Sequence, residues 1–97
     1  MSKVYTVASY MSDGDPAALA AYAALAGPAI IAGGGRMIAR GMPLATFEKG
    51  LEKRAIIIEW DSLEQATAIY ATPAYRAAVA KLGPSVERDI RILAATE

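Results

Sequence analysis

Arg40 and Arg54 are the residues of this sequence whose placement could most readily do chemistry. Arg36, Ile38 and Arg40 alternate along one short stretch, and Arg54, Ile56, Ile58 and Trp60 alternate along another. In a pleated strand every second side chain shares a face, so each set is predicted to line one side of a sheet. If Arg40 lies opposite Arg54, two like charges meet, which is destabilising without a compensating anion. Glu48, in the segment joining the two strands, is the nearest candidate in sequence. A bound carboxylate or phosphate is the alternative, because guanidinium forks grip such groups in a bidentate way. Two readings therefore stand: anchors for a small acidic ligand, or sheet-end charges paired with Glu48 and Glu52. Everything here depends on register, since a slip of one residue sends the two arginines to opposite faces.

Tyr22, Tyr70 and Tyr75 fall on helical stretches. Each is expected to bury its ring and send its hydroxyl to a polar partner. Beside an arginine, such a phenol can orient a substrate or, with a lowered pKa, act as acid or base. The candidate ligand-binding set is thus Arg36, Arg40, Arg54, Glu48, Tyr22, Tyr70 and Tyr75, with no catalytic residue assigned. Trp60 ends a strong strand and reads as packing. Glu59 falls on the strand face opposite Ile58 and Trp60. It is either an exposed ion-pair partner or a buried carboxylate, the best general base for a chain without histidine. Gly33-Gly34-Gly35 fails as a phosphate loop. Phosphate-cradling glycines follow a strand and open a helix, whereas these follow a helix and open a strand, as a C-cap and turn would. Asp13 and Asp15 could hold a hard cation, but Asp15 is needed as the cap before Pro16. No metal and no cofactor are expected.

The elements that must position these residues are legible from their boundaries. Val4 to Met11 is β-rich, uncharged on both alternating sets, and closed by Ser12-Asp13-Gly14. Two largely apolar faces predict a strand covered on both sides. Asp15-Pro16 opens a helix as N-cap and N1, with Leu19, Tyr22, Ala23 and Ala26 as its stripe. Gly27-Pro28 should end or kink it, because the residue before proline avoids the α region. Ala29 to Ala32 is at most one further turn. Arg36–Gly41 and Arg54–Trp60 are predicted strands, joined by a loop, residues 42–53, that is long enough to be functional. Ser62 with Gln65 forms a capping box, Thr72-Pro73 restarts the helix, and Gly83-Pro84 stops it. Ile90–Ala95 reads as the last strand.

The order β-α-β-β-α-β, with the second helix in two pieces, folds through right-handed crossovers into a four-stranded antiparallel sheet. This ferredoxin-like α+β arrangement puts the helices on one face and leaves the other bare. A copy of the chain is the simplest cover for that face. The 97 residues fit one domain, 1–97. Their 55% apolar content exceeds what a small monomer readily hides, which also favours a homodimer. Ten basic and ten acidic residues cancel and are scattered, so the electrostatic footprint of a nucleic-acid binder is missing. The absence of cysteine and histidine removes thiol chemistry, disulfides and the commonest zinc ligands. The stretch from Pro16 to Gly35 is too Ala- and Gly-rich for a membrane span. Met1 to Tyr5 runs straight into a strand without a signal-peptide pattern, so a cytoplasmic protein is expected.

Several of these residues recur together in a known pattern. Tyr22, Gly34-Gly35-Arg36 leading to Arg40-Gly41, Glu48 with a following glycine, Arg54 before the isoleucines, Glu59-Trp60, Ser62 and Thr72-Pro73-Ala74-Tyr75 stand in order. In this the chain resembles the uncharacterised family catalogued as domain of unknown function 1330, over nearly its whole length. The resemblance implies a dimeric α/β-barrel form of the ferredoxin-like fold and no particular activity. Three features depart from the family: Lys49 separates Glu48 from Gly50, Lys81 stands for a helical basic residue, and Ala94-Ala95 replaces a terminal glycine. Two functions follow. One is a cofactor-independent binder or enzyme for a small organic acid or phenolic compound, using a cavity between sheet and helices. The other is a non-enzymatic dimeric module with no ligand pocket.

Overall fold

In the computed structural model, which describes residues 3–84 and 86–96, alternation along the first strand sets the plan of the molecule. Val4, Thr6, Ala8 and Tyr10 of β1 (Val4–Tyr10) are buried, while Tyr5, Val7 and Ser9 are half-buried on the other face. The buried set faces the helices. The remaining elements are α1 (Pro16–Ala32), β2 (Arg36–Gly41), β3 (Ala55–Trp60), α2 (Leu63–Ala68), α3 (Pro73–Ala80) and β4 (Arg88–Ala94), with a 3-10 turn at Ile69–Ala71. The strands form one sheet in the order β2-β3-β1-β4, with every neighbouring pair antiparallel. This is the ferredoxin-like α+β topology expected from the sequence. No helix among the described residues is long and apolar enough to cross a membrane.

The caps lie where the sequence places them. Asp15 accepts from the Ala17 amide, Ser62 from that of Gln65 and Thr72 from that of Tyr75. Each satisfies one of the amides a helix start leaves open, worth about 1 kcal/mol. The exception is Gly27-Pro28, because α1 runs through it as one helix of 17 residues. A glycine before proline has no Cβ to clash with the proline ring, which lifts most of the penalty on the α region. Buried Ala29 and Ile30 then tie the final turn to the core. Strand β4 also begins two residues earlier than expected, at Arg88.

The core joins Val4, Tyr22, Ile30, Ile58, Trp60 and Tyr75 across the sheet and helices. Trp60 is 1% exposed and donates its indole N–H to Thr6 Oγ1 at 3.0 Å, which satisfies the one buried polar side chain it packs on. The glycine turn after α1 makes this packing possible. A Cβ on Gly35 would stand 2.7 Å from Ile30 Cγ2 and 2.9 Å from the Trp60 ring, inside both contact radii. Gly35→Ala is therefore expected to destabilise the fold by roughly 1–3 kcal/mol through overpacking, measured as a lower urea midpoint. An unchanged midpoint would show that the turn has room the geometry denies.

Candidate functional site

Strand pairing assembles a row of side chains at one end of the helix-covered face. Tyr10 pairs with Arg88 across β1 and β4. On its other side the Tyr10 amide donates to the Arg54 carbonyl at 2.9 Å. Arg54, just before β3, is thus a neighbour of Tyr10 on β1, which in turn neighbours Arg88 on β4. Neighbouring strands lie about 4.8 Å apart, so the two arginine Cα atoms at the ends of the row are separated by about 10 Å. Arg40 faces Ile56 one row further in. The sequence left the register open, with Arg40 directly opposite Arg54 as the case considered. The actual register offsets them by two residues, which keeps them on one face as diagonal neighbours.

These residues line a cavity of about 210 Å³ between the sheet and the helices. Ala20, Ala23, Ala26 and Gly27 of α1 form one wall, and Met37, Ile56 and Ile58 face them from the sheet. Tyr70 and Tyr75, from the 3-10 turn and α3, close a side. Their rings meet edge to face at 5.2 Å, and Tyr75 meets Tyr22 edge to face at 6.2 Å.

The Tyr22 and Tyr75 hydroxyl oxygens are 2.8 Å apart and buried. Arg88 Nη1 donates to the Tyr22 oxygen at 3.1 Å. Its guanidinium also stands 5.2 Å from the Tyr22 ring centre and 5.8 Å from that of Tyr10. The two phenols carry two protons between them, and their mutual bond uses one, so one O–H remains for a further acceptor. Burial first, and the bond to Tyr75 second, raise the Tyr22 pKa well above that of an ordinary phenol. Burial and the neighbouring Tyr75 raise that of Tyr70. Burial opposes the charge on Arg88, but the phenolic oxygens of Tyr75 and Tyr22 outweigh it and hold the guanidinium protonated. At neutral pH the Tyr22 and Tyr70 hydroxyls and the Arg88 guanidinium therefore stand as donors, and neither tyrosine acts as a base.

No carboxylate lines this cavity among the described residues. The acidic groups in ion pairs are committed elsewhere: Asp13 to Lys53, Asp61 to Lys3 and Arg36, Glu59 to Arg36, and Asp89 to Arg91. Arg40, Arg54 and Arg88 take part in none of these pairs, and Arg40 donates to the Met37 sulfur at 3.4 Å. Like charges lining one cavity repel one another. An anion seated among them would reverse the sign of that interaction. Among the described residues no cluster of acidic groups could hold a metal ion.

Two sequence candidates lie away from this cavity. Arg36 is on the open face of the sheet, where it donates to Glu59 at 2.8 Å and to Asp61 at 2.9 Å. The expected alternation of Arg36, Ile38 and Arg40 is broken by a bulge between Met37 and Ala39, which sends Arg36 and Arg40 to opposite faces. Arg36 and Tyr5 hold the Glu59 carboxyl below the usual carboxylate range, so Glu59 is an ion-pair partner and not a base. Glu48 is exposed in a tight turn closed by the Gly50 amide on the Phe47 carbonyl, and its φ of 53° falls in the left-handed region. The turn curls the loop on itself and leaves Glu48 outside the cavity. Conversely, Arg88 and Tyr10 belong to the site and were missed. Starting the last strand at Ile90 hid the fact that Arg88 shares the face of Ile90 and Ile92.

Comparison with known proteins places this geometry in context. The model of the family described as Domain of unknown function (DUF1330) matches residues 3–96, and the chain belongs to that family. No curated protein matches it. Among solved structures, a protein of unknown function from Rhodopseudomonas palustris is 19% identical with a TM-score of 0.76, over 99% of this chain and 84% of that one. A dimeric ferredoxin-like protein of unknown function from Thermobifida fusca is 20% identical with a TM-score of 0.70, over 97% and 92%. SnoaB, a cofactor-independent oxygenase from Streptomyces nogalater, is 14% identical with a TM-score of 0.69, over 100% and 96%. At these identities the likeness establishes the fold alone.

The hydroxyl chain couples both tyrosines to Arg88. Tyr22→Phe and Tyr75→Phe each remove the bond between the phenols and one oxygen facing the Arg88 guanidinium, and each is expected to cost about 2–3 kcal/mol. Urea denaturation of the two variants checks this. A negligible loss in either would show that Arg88 does not depend on that phenol.

Proposed function

We propose that this chain is a cytoplasmic homodimer that binds a small organic anion in the cavity between its sheet and helices, without a bound cofactor. The observation that carries this reading is the concentration of Arg40, Arg54 and Arg88 around an apolar cavity whose described lining contains no carboxylate. Arg88 is tied into the packing through Tyr22, but packing alone gives no reason for Arg40 and Arg54 to bring further positive charge to the same hollow. Their mutual repulsion and the partial burial of Arg88 both count against the empty state. Each charge-assisted hydrogen bond to a bound anion would contribute about 1.5–3 kcal/mol. Tyr22, Tyr70 and Tyr75 supply the aromatic surface and a spare donor. Arg36 and Glu48, the other sequence candidates, have no part in this reading. The cofactor-independent oxygenase activity of SnoaB belongs to that protein. It motivates assaying this chain for turnover, because fold alone does not carry function. A role as a structural module without a pocket is disfavoured by the cavity itself.

A thermal-shift screen of small carboxylates, phosphates and phenols tests the binding. A ligand that binds only the folded state at about ten times its Kd stabilises by about 1.4 kcal/mol, or about 5 °C or more in Tm for a domain of this size. The expected pattern is a shift for wild type and for Arg36→Ala, and none for Arg40→Ala or Arg54→Ala. No shift for any anion would overturn the binding reading.

The dimer is supported by apolar surface on the single chain. Leu44 and Phe47 of the long loop are 104% and 83% exposed. The open sheet face presents Val7, Ile57 and Leu93, and the Thermobifida fusca relative is a dimer. Light scattering is expected to give twice the chain mass of 10.2 kDa. A monomer at micromolar concentration would contradict it.

A further inference from the structure

From the shape of the cavity and the spacing of its donors, we infer that the anion is a single-ring aromatic acid carrying a ring hydroxyl opposite its carboxylate. This rests on the anion reading above and narrows it to one ligand class. Volume sets the first limit. An apolar cavity of about 150 Å³ accommodates benzene, so about 210 Å³ suits one ring with small substituents better than a fused-ring system.

Wall chemistry sets the second. Ala20, Ala23 and Gly27 keep the α1 side low, and nothing stands within 4 Å of where a Gly27 Cβ would be. Ile56 and Ile58 face this wall from the sheet. A flat ring fits between two such surfaces and removes apolar area from water on both faces. An aliphatic diacid would leave that surface uncovered while bringing a second charge to desolvate.

Donor placement sets the third. Arg40 on β2 and Arg54, just before β3, stand as diagonal neighbours and suit a bidentate carboxylate. The Tyr22 and Tyr75 hydroxyls gather on the Arg88 side, at the other end of the row. Arg54 and Arg88 are two strand spacings apart, about 10 Å at Cα. Arg88 is drawn to the phenol pair by its bond to Tyr22, so a carboxylate held by Arg40 and Arg54 leaves the far side of a ring to offer its hydroxyl there. The spare phenolic proton and the Arg88 charge both favour an oxygen acceptor there.

Calorimetric titration of the full chain with para-hydroxybenzoate, ortho-hydroxybenzoate, benzoate, naphthoate, succinate and inorganic phosphate tests the assignment. Para-hydroxybenzoate is expected to bind about tenfold tighter than benzoate, the worth of one charge-assisted hydrogen bond. The ortho isomer, naphthoate, succinate and phosphate are expected to be weaker than the para isomer by a similar factor or more. Removing both phenols, Tyr22→Phe with Tyr75→Phe, should shrink the advantage of the para hydroxyl over benzoate. Ala23→Leu, at an exposed helix position that lines the cavity, should weaken both aromatic acids while the fold is retained by circular dichroism. If succinate or phosphate binds as tightly as the aromatic acids and loses affinity in Arg54→Ala, the anion site stands and the aromatic assignment is wrong. If no anion in the series binds the wild type, the anion reading falls and takes this assignment with it.

Discussion

The hydrogen bond between the Tyr22 and Tyr75 hydroxyls, with Arg88 behind it, ties together α1, α3 and β4, three elements far apart in sequence. Two helices can pack on one sheet face in many relative positions. A buried polar pair allows few, because each hydroxyl left without a partner would cost about 1–3 kcal/mol. Fixing α1 against α3 in this way also fixes the gap between α1 and the sheet, and that gap is the cavity. Small residues along α1 keep it open where leucines would have filled it.

Charge distribution follows a related logic. The open face of the sheet pairs its charges: Lys3, Arg36, Glu59, Asp61 and the Tyr5 hydroxyl form one connected cluster. The helix-covered face concentrates guanidiniums and aromatic rings at one end and keeps the committed carboxylates away. A neutral chain thereby acquires a locally cationic, half-enclosed hollow, where an anion would be attracted more strongly than at a fully solvated surface. Composition alone gives no sign of this, since ten positive and ten negative residues sum to zero.

Much of the fold was legible because its punctuation is local. Asp15-Pro16, Ser62 and Thr72-Pro73 each cap a helix within three or four residues, and Ile56-Ile57-Ile58 marks its strand by β-branched content alone. The candidate site was legible in part. Arg40, Arg54 and the three helical tyrosines line the same cavity, but the face of Arg36 was lost to a bulge. Alternation reports a face only while the strand is regular, and nothing at Met37-Ile38-Ala39 signals an extra residue. Arg88 was lost for another reason. A charged residue at a strand end looks like the turn before it, and only the pairing of Arg88 with Tyr10 shows that it belongs to the sheet. Gly27-Pro28 illustrates tertiary override of a local signal, since the turn beyond it is held by Ala29 and Ile30 in the core.

Nuclear magnetic resonance of the arginine Nε–Hε groups during titration with para-hydroxybenzoate tests most directly whether the cavity guanidiniums hold the anion. Each guanidinium reports its own hydrogen bonding, so the site is read without mutating it. Signals of Arg40, Arg54 and Arg88 should move together and saturate with a single binding constant, while those of Arg36 and Arg91, already paired with carboxylates on the other side of the sheet, stay in place. Saturable shifts confined to exposed arginines, or no saturable shift at all, would mean that the cavity is not an anion site.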